Sequence, residues 1–147
     1  MLNKLMMATC AVSLTCAAPA LAQSSSYTPG SYWTVSDIEV LPGQGENYLD
    51  FLAGQWKRTQ EFAKQKGYIE DYFVLSNVNK RDGEPDLYLV TRFNEMTTRA
   101  EDLRRQAEYE AFMKSDAHSL DTAMGGRAVM RKQRGSTLLQ ELELKSK

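Results

Sequence analysis

The run Tyr68–Phe93, YIEDYFVLSNVNKRDGEPDLYLVTRF, decides the fold. Tyr68 to Val78 and Asp86 to Phe93 are rich in β-branched and aromatic residues, the composition of strands. Between them, Asn79 to Pro85 (NKRDGEP) is a turn centred on Asp82-Gly83. The two strands are expected to pair as an antiparallel hairpin. Both parities carry apolar groups: Ile69, Phe73 and Leu75 oppose Tyr72, Val74 and Val78, and Leu87 and Leu89 oppose Tyr88 and Val90. A sheet covered by helices on one side needs only one apolar face. The second face therefore needs a cover of its own, and a second copy of the chain supplies one on both subunits at once.

Working outward, Glu46 to Lys66 changes period. Tyr48, Leu52, Trp56, Thr59 and Ala63 follow steps of three and four, with charged residues mostly elsewhere. This predicts an amphipathic helix with Gly67 as its stop. Upstream, YWTVSDIEVL from Tyr32 reads as a strand closed by Pro42-Gly43. Downstream, Thr98-Arg99-Ala100-Glu101 has capping-box spacing and opens a second helix to about Ser115. Ser115 to Met124 reads as a further short helix that Gly125-Gly126 breaks. After the basic stretch Arg127 to Arg134, STLLQELEL supplies a fourth strand.

The order is βαββαβ, a ferredoxin-like α+β arrangement with four antiparallel strands and two helices on one face. With the strand–Pro-Gly–helix opening and the two-faced sheet, the segment Tyr32 to Leu144 resembles the dimeric α+β barrel superfamily, which includes antibiotic-biosynthesis-monooxygenase-like and NIPSNAP-like domains. The resemblance implies a homodimer whose sheets face each other, and a pocket for a small apolar or aromatic molecule between sheet and helices. Some members oxidise such ligands without metal or flavin. Some haem-degrading members use an Asn, a Trp and a His. That triad is not carried over to Asn77, Trp33, Trp56 or His118, because Ser36-Asp37 stand in the first strand where an Asn would be sought.

The first 22 residues, MLNKLMMATCAVSLTCAAPALA, read as a secretory signal: Lys4, an apolar run from Leu5 to Ala18 too short to span a bilayer, then Ala20-Leu21-Ala22. Cleavage is expected between Ala22 and Gln23. Gln23 to Ser31 would be a flexible lead-in, and residues 32–147 one domain. Cys10 and Cys16 leave with the signal, so the exported chain holds no thiol, and a periplasmic or secreted address is expected. The remaining 125 residues carry 17 Lys and Arg against 19 Asp and Glu, a net charge of −2. That balance gives no electrostatic reason to expect nucleic acid. No later segment is apolar for long enough to cross a membrane.

One His and no exported Cys cannot build a His/Cys zinc site, and no P-loop, G-x-G-x-x-G or G-x-S-x-G motif is present, so neither metal nor cofactor is expected. His118, the single histidine, is a candidate general base or haem ligand at the mouth of a pocket, or a partly exposed residue in the polar run Ser115 to Ser119. Asp37 and Glu39 share a strand face with Trp33, Tyr88 shares one with Arg92, and Glu141 shares one with Glu143. Should these faces coincide, Arg92 could pair with a carboxylate and Tyr72 or Tyr88 could hydrogen-bond a ligand. The alternative is a structural ion pair of the dimer, or outward residues at the sheet edge. The catalytic candidates are therefore His118 and Arg92, and the ligand-binding candidates are Trp33, Asp37, Tyr72, Tyr88 and Arg92. Arg127, Arg131, Lys132 and Arg134 could meet an anionic ligand or acidic lipid, or form a solvated connection. The functional expectation is a small-molecule pocket protein. Its rivals are a cofactor-independent oxygenase or isomerase and an interaction protein without catalysis.

Overall fold

The computed structural model describes residues 25–146; the signal segment and its cleavage point lie outside the described residues. In chain order the elements are β1 (Tyr27–Val40), α1 (Gly45–Phe51), a π-helical turn (Leu52–Trp56), α2 (Lys57–Gln65), β2 (Asp71–Ser76), β3 (Leu87–Phe93), α3 (Arg99–Met113), α4 (Ala117–Arg127) and β4 (Arg131–Leu144). The strands form one open antiparallel sheet in the order β2-β3-β1-β4, so the fold is α+β. No helix among the described residues is long and apolar enough to cross a membrane.

The hairpin forms as its composition predicts, with Phe73 opposite Val90 and Val74 opposite Leu89. Gly83 takes φ +82° in the connecting loop, a left-handed conformation that favours glycine. Because directly opposed residues project to the same side, the register divides the sheet into two faces. The inner face carries Thr34, Ser36 and Ile38 from β1 beside Leu87, Leu89 and Thr91 from β3. Here Ile38 and Leu87 join Tyr48 and Leu52 of the first helical stretch in a small buried core.

The stripe on that stretch explains its π turn. Tyr48, Leu52 and Trp56 recur in steps of four, and an α-helix drifts about 40° with each such step. The wider turn at Leu52–Trp56 absorbs the drift and keeps Trp56 over the sheet, edge-on to the Tyr72 ring at 5.4 Å.

The outer face carries Trp33, Val35 and Asp37 of β1, Tyr88, Val90 and Arg92 of β3, Phe73 and Leu75 of β2, and Leu139 of β4. Val90 at its centre is 4% exposed. Around it Phe73, Leu75 and Leu139 remain 37%, 50% and 51% exposed, a contiguous apolar surface that no described residue covers.

Several boundaries differ from the sequence reading. β1 begins at Tyr27, inside the expected flexible lead-in. Residues Tyr27 to Pro29 pair with β4 alone, and the ladder shifts register between Pro29 and Tyr32, where a proline is tolerated. β4 begins at Arg131, so the second half of the basic stretch is strand, with Arg131, Lys132 and Gln133 opposite Val40, Glu39 and Ile38. α4 runs through Gly125-Gly126 to Arg127, and neither glycine takes a positive φ.

The Thr98 side chain caps α3, accepting from the Glu101 amide at 3.3 Å. The reciprocal half of the capping box is replaced. Glu101 instead accepts from Arg104 Nη2 at 2.7 Å and Arg105 Nε at 2.6 Å. Those two guanidinium groups, Arg104 first, hold its carboxyl at about 2, against an ordinary 4.5. A carboxyl depressed on folding stabilises fully above its unfolded value and loses that contribution as pH falls through the folded one. The Arg104→Gln/Arg105→Gln double variant is therefore expected to flatten the fall of Tm between pH 4.5 and about 2. Thermal unfolding followed by circular dichroism across that range reads the effect, and an unchanged acid limb would contradict it.

Candidate functional site

A packed core would place large aliphatic groups along the inner face of β1 and β3. This chain places Thr34, Ser36 and Thr91 there. Small hydroxyl side chains opposite Tyr48 and Trp56 leave the space between sheet and helices unfilled, and a cavity of about 230 Å³ results. Its floor is Thr34, Ser36, Ile38, Leu89 and Thr91. Phe51, Gln55, Trp56 and Thr59 form one wall, with Tyr48 beneath them. Tyr109 of α3, Arg127 of α4, and Arg131 and Gln133 of β4 form the other. The π turn matters here, because Gln55 and Trp56 belong to it.

Tyr48 is fully buried, yet its hydroxyl has no hydrogen-bond partner among the described residues. Burial pushes its phenol up, opposed by the charges of Arg131 and Arg127. A buried hydroxyl without a partner is costly, and removing it recovers that cost. Tyr48→Phe is expected to raise the stability of the ligand-free chain by about 1 kcal/mol, measured by urea unfolding. A loss of stability would mean that the hydroxyl is satisfied.

The structure brings Trp33, Asp37, Tyr88 and Arg92 together on the outer face, where the faces of β1 and β3 coincide. The Arg92 guanidinium lies 5.4 Å from the Trp33 ring centroid, and its Nε is 3.0 Å from Glu70. Ser31 donates to the same Glu70 oxygen at 2.8 Å. The carboxylate that meets Arg92 thus comes from the approach to β2, not from the acids of β1 or β4. Trp33 stacks on Phe73 at 6.2 Å, and its indole N–H donates to Glu141 at 3.4 Å.

Tyr72 lies on the opposite face, where its hydroxyl donates to Glu61. That bond is the largest cause holding the phenol up at about 12. Tyr72 lines a more open groove with Leu49, Leu52, Trp56 and Val74, beside the cavity but not in it. His118 is exposed in the first turn of α4 and lines neither space. Among the described residues, no group of three or more His, Cys, Asp and Glu converges as a metal site requires.

Among the cavity residues, Tyr48, Gln55, Tyr109 and Gln133 were not singled out as a site from the sequence, whereas Arg127 and Arg131 belong to the basic run read as a possible contact for an anionic ligand. Two signals pointed toward them: the all-four spacing of Tyr48, Leu52 and Trp56, and the basic run that opens β4. Comparison of the chain with protein-family models, curated proteins and solved structures gives no match.

Proposed function

We propose that this chain is an exported subunit that pairs with a second copy through its outer sheet face, in the manner of a dimeric α+β barrel. In this reading it holds a small apolar or aromatic molecule between sheet and helices. The strand order is the one a ferredoxin-like sheet would have, and the exposed Phe73, Leu75 and Leu139 supply the face such a pairing would bury. Export rests on the leading segment, whose charge, apolar run and Ala-Leu-Ala end fit a signal peptide.

The observation that carries the binding reading is the cavity itself. It combines aromatic walls, Phe51 and Trp56, with a few inward polar groups, the mixture by which small-molecule sites hold and orient a ligand. Fluorine NMR titration with para-fluorobenzamide, a neutral single-ring probe, tests it. Saturable binding is expected, and Ser36→Phe, which drives a ring into the floor, is expected to abolish it while the circular dichroism spectrum is retained. No saturable binding, or binding indifferent to Ser36→Phe, would overturn the reading.

A further inference from the structure

Resting on the pocket reading above, the geometry points to a ligand of narrower class: a small organic acid whose carboxylate sits against Arg127 and Arg131, with the Tyr48 hydroxyl as a third donor. No Asp or Glu lines the cavity. Among the described residues, Arg81, Arg92, Arg104, Arg105 and Arg134 each meet a carboxylate, whereas Arg58, Arg99, Arg127 and Arg131 make no ion pair, and of these four Arg127 and Arg131 line the cavity. Arg127 lies over the Phe51 ring at 5.5 Å. Arg131 reaches Gln133 at 3.3 Å through one Nη, and its buried Nε has no partner.

Two half-buried cations side by side, without a counter-charge, disfavour each other and the fold around them. Burial first, and the neighbouring Arg131 charge second, pull the Arg127 guanidinium below its ordinary range. A carboxylate between them would satisfy both forks, because the guanidinium group matches that planar geometry. It would also offer Tyr48 the acceptor it lacks.

The remaining lining favours an organic acid over a bare inorganic anion. Ile38, Leu89, Phe51 and Trp56 present carbon beside the hydroxyls of Thr34, Ser36, Thr59 and Thr91, a mixture that suits an organic body. At about 230 Å³ the cavity has room for a single-ring aromatic acid. Both arginines also border an outer depression with Lys132, so an approaching anion meets positive charge from the surface inward.

The test compares para-fluorobenzoate with its neutral near-isostere para-fluorobenzamide by fluorine NMR titration. The acid is expected to bind at least about tenfold more tightly than the amide. Arg127→Gln and Arg131→Gln are each expected to remove most of that advantage, bringing the affinity for the acid toward that for the amide in the same variant. Tyr48→Phe, which keeps the ring and the packing, is expected to weaken the acid severalfold and guards against a misfolded arginine variant. Inorganic phosphate is expected to displace the acid only weakly.

Amide binding that Ser36→Phe removes, with the acid no tighter, would overturn the acid site and leave the pocket standing. Absence of binding by both probes would overturn both. Acid binding indifferent to the two arginines, or phosphate displacing the acid as well as benzoate does, would also overturn it.

Discussion

Phe73→Asp is expected to turn a two-chain species into a folded single chain. Phe73 stacks on Trp33 beside the buried Val90, at the middle of the uncovered face. Because it is itself 37% exposed, a carboxylate there stays hydrated in the monomer and disturbs little. In a two-fold interface the same carboxylate is buried twice, and desolvation of each ion costs several kcal/mol. The dissociation constant should rise by roughly a thousandfold or more. Sedimentation equilibrium at micromolar concentration reads this, with far-UV circular dichroism showing that the variant is folded. A wild-type chain that sediments as a monomer, or a Phe73→Asp variant that stays paired, would remove the outer face as the interface.

Leu52→Ala carries the second large effect. Only Ile38, Tyr48, Leu52, Leu87 and Val90 are buried among the large apolar side chains described, and Leu52 joins three of them in one cluster. A core this small leaves little reserve. Deleting a buried leucine side chain costs about 2–5 kcal/mol, a large share of the 5–15 kcal/mol that holds an ordinary domain. Tm is expected to fall by roughly 10 °C or more, read by thermal unfolding of the wild type and the variant at one protein concentration. Leu49→Ala, one turn earlier and 43% exposed, should shift it far less. Equal shifts would mean that the helix is held by something other than this cluster.

The parts of the fold legible in the sequence are those where one physical signal acts alone. The hairpin was legible because β-branched and aromatic residues flank Asp82-Gly83, and the loop indeed places Gly83 at positive φ. The α3 start was legible because Thr98 is a hydroxyl placed where an early amide needs an acceptor. Where two signals compete, composition misled. Arg131 to Arg134 look like a solvated loop, yet the long β1 offers its backbone as a template and takes them as strand. Gly125-Gly126 look like a break, yet neither residue uses the freedom that makes glycine break helices. Pro29 and Gly30 look like a linker, yet their segment pairs with β4 past the end of β3.

The candidate site divides the same way. Strand parity grouped Trp33 with Asp37 and Tyr88 with Arg92, because period two is exact in a strand, and the register brings the two pairs to one face. It could not say which face the helices cover, and Tyr72 lies on the other. The cavity was illegible because it is made by what is small. Thr34, Ser36 and Thr91 are unremarkable as letters and become a site only when opposed to Tyr48 and Trp56. The basic run was visible as charge, but only the register shows that Arg131 turns inward while Arg134 meets Glu39 at 3.1 Å on the other face.

Native mass spectrometry of the chain purified from the cells that make it reads pairing, export and ligand together. An ion of two chains is expected, each beginning at Gln23 and carrying one small organic mass per chain that Ser36→Phe protein lacks. A bare single-chain ion, with no adduct at any gentle ionisation setting, would contradict it.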